Sequence, residues 1–152
     1  MSIIINDENL TGYIIIDGNG CLFGIVKGNE KTVLHSFTAE IPIRKRQHLE
    51  AYGSKRIRKI ELYLQKVSDI ATLLFLPTHK IIIAGAADLK HNLKPMLDNL
   101  SVIKVIDVSY GMHPGFCQAI ELSEYFSIIP STFFESQYFK IYYFIMYIAI
   151  VK

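Results

Sequence analysis

Residues 12–29 read GYIIIDGNGCLFGIVKGN, two β-rich runs around a short polar turn. The runs from Tyr13 to Ile16 and from Leu22 to Lys27 are rich in β-branched and aromatic residues, which favour strands. Between them, Asp17-Gly18-Asn19-Gly20 supplies Gly and Asn residues that tolerate the positive φ angles of a tight turn. This stretch predicts an antiparallel β-hairpin.

A third strand is expected directly after this hairpin. A turn at Gly28-Asn29-Glu30 leads into a β-rich run from Thr32 to Thr38. Simple alternation places Val33, His35 and Phe37 on one face of that run, at the inner side or the edge of the sheet. The chain therefore opens with three strands.

The periodicity then becomes helical, from about Gln47 to Leu76. Apolar residues recur at spacings of 3, 4, 3, 4 and 3, which predicts one buried stripe: Ile57, Ile60, Leu64, Val67, Ala71 and Leu74. Polar residues fall on the other side: Lys55, Arg58, Lys59, Glu61, Gln65 and Lys66. Such a helix is roughly 45 Å long, so we expect its N-terminal turns to project beyond the domain. Pro77 is expected to stop it.

The second half of the chain alternates strands and helices. The apolar run from Lys80 to Ala84 is typical of a strand covered on both faces, and Val102 to Val108 predicts another strand. Ala86 to Asn92 predicts a short helix that Pro95 ends, and Pro114 to Glu124 predicts a helix with Pro114 at its first position. The predicted fold class is α/β, with a mixed sheet opened by a β-hairpin, one long projecting helix and two shorter helices.

Composition narrows the functional classes. The chain has 152 residues, of which 51% are hydrophobic and 20% charged, enough apolar material for the core of one domain. Cys21 and Cys117 lie far apart and the five histidines are scattered, so neither a disulfide framework nor a zinc site is expected, and neither cysteine has an activating neighbour in sequence. Phosphate-binding loops of the GxGxxG and GxxxxGK types are absent, and we expect no cofactor. The first residues lack the pattern of a signal peptide, which predicts a cytoplasmic location.

Three aspartates fall near predicted strand ends: Asp17, Asp88 and Asp107. If they converged, their carboxylates could hold Mg²⁺ for a metal-dependent nuclease. Each also has a local explanation, because Asp17 begins a turn, Asp88 can cap a helix and Asp107 precedes a second turn cluster. We expect structural roles for all three and no metal, and we keep the nuclease as a third candidate function.

One segment points to a class of partner. Residues 43–59 contain seven of the sixteen Lys and Arg residues and one acid, Glu50. Clustered cations release counterions from a nucleic-acid backbone, and Arg guanidinium groups suit phosphates and stacked bases. The alternative is a solvated charged loop. The predicted RNA-binding residues are Arg44, Lys45, Arg46, Lys55, Arg56, Arg58 and Lys59.

Four stretches together resemble one family. GYIIIDGNGCLFGIVKGN, TVLHSFTAEIP, IIIAGAADLK and KVIDVSYGMHPGFCQAIELSE occur in the order and at nearly the spacing of the middle domain of the eukaryotic and archaeal class 1 peptide chain release factor. The resemblance covers residues 12–124. It implies that this domain reaches the ribosomal peptidyl transferase centre, with stop codons recognised by an N-terminal domain. The implied partners are ribosomal RNA and peptidyl-tRNA, and a partner GTPase only if a C-terminal domain exists elsewhere.

In that family, the loop before the long helix carries Gly-Gly-Gln, which promotes hydrolysis of the ester between peptide and tRNA. Glycines allow close backbone approach, and the Gln backbone N–H and amide can stabilise the developing oxyanion. Here Gln47 falls at the family's glutamine, but Lys45 and Arg46 stand at the glycine positions and the loop is shorter. An Arg at positive φ is strained, so the resemblance implies a degenerate catalytic loop and an uncertain release activity.

The degenerate loop leaves an alternative function open. The ribosome-rescue factor Pelota has a basic stretch like IPRKR and no Gly-Gly-Gln, and residues 41–46 here read IPIRKR. The alternative is therefore a non-hydrolysing ribosome- or RNA-binding module, either a Pelota-like paralogue or a gene fragment.

Composition changes again after residue 124, where aromatic and Ile residues dominate. We therefore divide the chain into a release-factor middle domain, residues 1–124, and a divergent tail, residues 125–152. The apolar run from Ile141 to Val151 is shorter than the roughly 20 residues that span a bilayer. We expect no membrane partner.

Overall fold

The computed structural model describes residues 10–39, 41, 50–128 and 145–150. The elements follow the predicted order: β1 (Leu10–Ile16), β2 (Gly20–Lys27), β3 (Glu30–Thr38), α1 (Glu50–Leu74), β4 (Lys80–Gly85), α2 (Leu89–Leu93), a 3₁₀ turn (Lys94–Leu97), β5 (Ser101–Asp107) and α3 (Met112–Ile128). Residues 145–150 are also helical.

The five strands form one mixed sheet in the order β3-β2-β1-β4-β5. β1 pairs antiparallel with β2 and parallel with β4, and β5 runs parallel to β4. The predicted α/β class, the opening hairpin and the partly parallel sheet are confirmed. The two parallel connections need helical crossovers, which α1 and α2 with its 3₁₀ turn provide.

The turn between β1 and β2 forms as predicted, but the expected reason is wrong. Among the described residues, positive φ angles occur at Gly28 (61°) and Met112 (49°), outside this turn. Instead, the Asp17 carboxylate accepts hydrogen bonds from the backbone N–H groups of Asn19 (2.8 Å) and Gly20 (3.0 Å). The side chain thus replaces a backbone partner and closes the turn.

A β-bulge alters the predicted faces of β3. The register pairs Phe23 with His35 but Gly24 with Val33, which leaves Leu34 as the extra residue. Val33 therefore does not share a face with His35 and Phe37 as simple alternation predicts. Val33 is 41% exposed. The ring of His35, in contrast, is stacked on that of Phe23.

The long helix α1 buries only part of its predicted stripe. Leu64, Val67 and Ala71 are buried against the sheet, and Ile60 and Leu74 are partly buried. Ile57, predicted to be buried, is 58% exposed because no described part of the sheet covers that turn. The helix ends at Leu74, two residues before the predicted end, and the expected start at residues 47–49 lies outside the described residues.

The sheet separates two apolar cores. One lies under α1, α2 and the 3₁₀ turn, and the other lies under α3. α3 approaches the sheet closely at Gly24, where an added Cβ would lie 2.5 Å from the Phe116 ring. α3 begins two residues before Pro114, so that proline is not the first helical residue as predicted. α2 also begins later than expected, at Leu89.

Candidate functional site

Residues 55–62, in the N-terminal half of α1, carry the exposed part of the predicted basic site. Lys55, Arg58 and Lys59 are exposed, and Arg56 is half-buried. Ile57 and Leu62 are also exposed, at 58% and 63%. We call residues 55–62 the cationic half of α1. It places four of the predicted RNA-binding residues within little more than one helical turn and presents most of their charge to solvent.

The remaining predicted site residues lie outside the described residues. These are Arg44, Lys45, Arg46 and the catalytic candidate Gln47, which fall in the segment of residues 42–49. Since α1 begins at Glu50, the first five residues of the helix separate this segment from the cationic half. Their roles as RNA ligands and as a catalytic residue stay predictions.

Tyr63 fixes α1 where the cationic half ends. Its ring is buried and meets Phe37 edge to face, with ring centroids 5.9 Å apart. Its hydroxyl donates a 2.8 Å hydrogen bond to the backbone carbonyl of Asp17, in the β1–β2 turn. Burial raises the pKa of this phenol, so Tyr63 stays protonated as a donor. Sequence reasoning missed Tyr63, although its place beside Leu64 on the predicted stripe could have indicated it.

A group of cationic and aromatic side chains lies where α1 meets the edge strand β3. The Lys66 Nζ atom lies over the Phe37 ring, 4.3 Å from its centroid. The His35 ring lies beside Phe37, with centroids 6.1 Å apart, and His35 is exposed. The sequence predicted Lys66 on the polar side of the helix, which is confirmed, but not its partner on β3.

The three aspartates have separate structural environments. Asp17 closes the hairpin turn, as expected for a turn residue. Asp88 occupies the N-cap position of α2, but its side chain makes no capping hydrogen bond. Asp107 forms an ion pair with the buried Lys90 (2.7 Å), whose ammonium also donates to the carbonyl of Ala87. Within the described ranges, no group of three or more His, Cys, Asp or Glu residues is placed to hold a metal ion.

The two cysteines differ in environment. Cys21 is fully buried, and burial raises the pKa of its thiol, which suits a core residue. Cys117 is half-buried, with its Sγ atom 3.8 Å from Nδ1 of His113. The two side chains meet because residues four apart lie on one side of a helix, a contact that adjacent positions in the sequence do not reveal.

A shallow pocket of about 350 Å³ lies between α3 and the amino ends of the parallel strands. Tyr13, Lys104 and Ser123 are among its lining residues. The hydroxyl groups of Tyr13 and Ser123 share a 2.6 Å hydrogen bond, and burial lowers the pKa of Lys104.

Comparisons with known proteins agree with the sequence and the fold. The family model described as eRF1 domain 2 matches residues 10–127. The chain belongs to this family. This confirms the resemblance in the four quoted stretches, and the mixed sheet with its long helix is the fold shared by its members.

Relatives and solved structures extend this assignment. "Eukaryotic peptide chain release factor subunit 1" of Dictyostelium discoideum is 38% identical over 133 residues, covering 79% of this chain and 30% of the relative. The protein of that name from Caenorhabditis elegans is also 38% identical, with 79% and 22% covered. The chain thus spans less than a third of these relatives.

Among solved structures, the archaeal translation termination factor aRF1 shares the fold with a TM-score of 0.65 and 24% identity, covering 78% of this chain and 35% of that one. Dom34 of Saccharomyces cerevisiae, a translation termination-like factor, shares it with a TM-score of 0.51 and 8% identity, covering 73% and 32%. Of the helices in the described part of the chain, none has the length and apolar character needed to cross a membrane.

Proposed function

We propose that this chain is the middle domain of a translation termination factor, and that it acts on cytoplasmic ribosomes by binding ribosomal RNA through the cationic half of α1. The observation that carries the proposal is the family match over residues 10–127 together with relatives named as peptide chain release factors. The exposed Lys55, Arg58 and Lys59 supply a surface suited to this partner.

The chemistry of this surface fits a phosphate backbone. A cation that neutralises a phosphate releases condensed counterions, so binding strengthens as salt falls. Arg58 adds a planar guanidinium group that can contact two phosphate oxygens at once. The burial of Tyr63 at the end of the cationic half holds these cations at a fixed place relative to the sheet. The entropy lost on binding is therefore smaller than for a flexible loop.

The loop before α1 decides which activity follows from binding. The family's Gly-Gly-Gln would act on peptidyl-tRNA, whereas Lys45 and Arg46 stand at the glycine positions here. Side chains at these positions add bulk and resist positive φ angles, so Gln47 is expected to miss the pose that stabilises the oxyanion. This departure favours a second candidate function, a non-hydrolysing ribosome-binding module. Binding of a partner GTPase is expected only if a C-terminal domain accompanies this segment.

RNA affinity as a function of salt tests the proposal. The full 152-residue chain is titrated with a ribosomal RNA fragment between low and physiological salt. Replacing Lys55, Arg58 and Lys59 together with Gln should reduce the slope of log affinity against log salt by about 0.7–0.9 for each phosphate that the variant no longer neutralises. A second variant, with Arg44, Lys45 and Arg46 replaced by Ala, tests the loop in the same way.

The matched control carries Gln at three exposed lysines outside this surface, Lys31, Lys80 and Lys94. It has the same net charge as the first variant, so a general charge effect would lower both affinities equally. A larger loss in the α1 variant supports the proposal. Equal losses, or no binding at low salt, would remove the cationic half of α1 as the RNA surface.

A further inference from the structure

A second surface adjoins the cationic half of α1, on the side of the edge strand β3. Its members are His35 and Phe37 of β3 and Lys66 of α1. The His35 ring is stacked on the buried Phe23, with centroids 6.3 Å apart and an interplanar angle of 28°. Phe37 lies beside His35, and the Lys66 ammonium lies over the Phe37 ring. We call these three side chains the β3 platform.

The β-bulge explains why His35 presents a ring face here. The register shift between Phe23 and Gly24 pairs His35 with Phe23 and places both rings on the side of the sheet that α1 covers. Phe23 is fully buried beside the imidazole ring, with the two ring planes 28° apart, while His35 itself is exposed. Bulges of this kind re-aim a side chain at a sheet edge. An exposed ring with aromatic neighbours on both strands is available for stacking by another flat group.

Lys66 supplies a positioned charge beside this ring. Its Nζ atom lies 4.3 Å from the Phe37 centroid, a cation–π contact that restricts the ammonium to one region. Lys59 lies seven residues earlier, close to two helical turns, so both lysines lie on one side of α1 about 10 Å apart. The line of cations ends at Asp69, which accepts a hydrogen bond from Gln65.

We propose that the β3 platform binds one unstacked nucleotide of single-stranded RNA, with the base on the outer face of His35 and its phosphate at Lys66. Single strands are recognised by stacking on aromatic rings beside cations that follow the backbone. A base inside a duplex has both faces covered and cannot stack in this way. The proposal rests on RNA binding at the cationic half of α1 and adds a preference for single strands.

The test compares two oligomers with the full-length chain, oligouridine and an abasic strand with the same number of phosphates. Replacing His35 with Thr, which suits an edge strand, should lower the affinity for oligouridine by about 5- to 150-fold. The affinity for the abasic strand should stay unchanged, because it offers no base to stack. His35→Tyr restores a ring and should recover the difference between the two strands.

Further variants separate the two surfaces. Lys66→Gln should lower the affinity for both oligomers and reduce the slope of log affinity against log salt by about 0.7. The control is His91→Thr, an exposed histidine on α2, which should change neither affinity. If His35→Thr lowers the affinity for both oligomers equally, or for neither, the proposal for the β3 platform is overturned. RNA binding by the cationic half of α1 then still stands. If only His35 and Lys66 matter, and the glutamine variant at Lys55, Arg58 and Lys59 binds normally, the proposed α1 surface fails instead.

Discussion

The two halves of α1 share one helical pattern but differ in what covers them. From Tyr63 to Leu74 the apolar side packs on the sheet, and Val67 and Ala71 are fully buried. In the cationic half, the same periodicity leaves Ile57 exposed. Periodicity therefore predicts which side of a helix is apolar, whereas the extent of the sheet decides how much of that side is covered. Stability is expected to depend on the apolar side of the second half, and RNA binding on the exposed cations, which lie in the first half except for Lys66.

The largest expected difference between the halves is in stability. Leu64→Ala removes a buried side chain and should lower the free energy of unfolding by about 2–5 kcal/mol. The matched change Ile57→Ala lies on the same stripe but at an exposed position. It should change the free energy of unfolding by no more than about 0.5 kcal/mol. Urea unfolding of both variants measures this. Equal losses would mean that the start of α1 is covered in solution and that the comparison is wrong.

The chemistry of the loop before α1 should show the next largest effect. We expect a chimera with the flanking domains of a release factor and this chain's loop to release peptide near background. Restoring Gly-Gly before Gln47, with the missing loop length, should raise the release rate by roughly 10²–10³-fold, the usual contribution of one oxyanion donor. Peptide release from peptidyl-tRNA on ribosomes is the measurement. Release by the native loop at the restored rate would show that Gln47 reaches its pose by another backbone path.

Much of this comparison could be predicted from the sequence. The strands, the order of elements and the polar side of α1 follow from periods of 2 and 3.6 residues, which act over short distances. The charge cluster near α1 could also be predicted, because its residues are close together in the sequence. The exposure of Ile57 was not, because it depends on where the facing strands end.

Other features depend on pairs far apart in the chain. The ion pair between Lys90 and Asp107 joins α2 to β5, and the bulge opposite Phe23 appears only in the register of β2 and β3. Neither leaves a periodic signal. The β3 platform was missed because it combines both kinds of information, a bulge on one element and a lysine on another.

Alkaline pH should destabilise the protein through Tyr63, the buried residue at the junction of the two halves of α1. Burial raises the pKa of Tyr63 above its ordinary value of 10.0, so the folded protein keeps a proton that the unfolded chain loses. Above pH 10 the folded protein therefore binds more protons than the unfolded chain. The contribution of Tyr63 to the free energy of unfolding is fully present below pH 10. It falls by about 1.4 kcal/mol for each pH unit above that value. Stability measured from pH 8 to 11 should decline less steeply in Tyr63→Phe. An identical decline in that variant would contradict the role of Tyr63.

The smallest effect is expected from adding a charge to the exposed half. Ile57→Lys introduces a cation between Arg56 and Arg58 at a position that is already solvated. A long unbranched side chain suits a helix slightly better than Ile, so the free energy of unfolding should change by no more than about 0.5 kcal/mol. If residue 57 faces bound RNA, the salt slope should steepen by about 0.7, and affinity at low salt should rise. Leu64→Lys provides the contrast, because it buries an ammonium in the core and should prevent folding. Unchanged RNA binding by Ile57→Lys would place the side of α1 that carries residue 57 away from the RNA and confine the interface to the side that carries Lys55, Arg58 and Lys59.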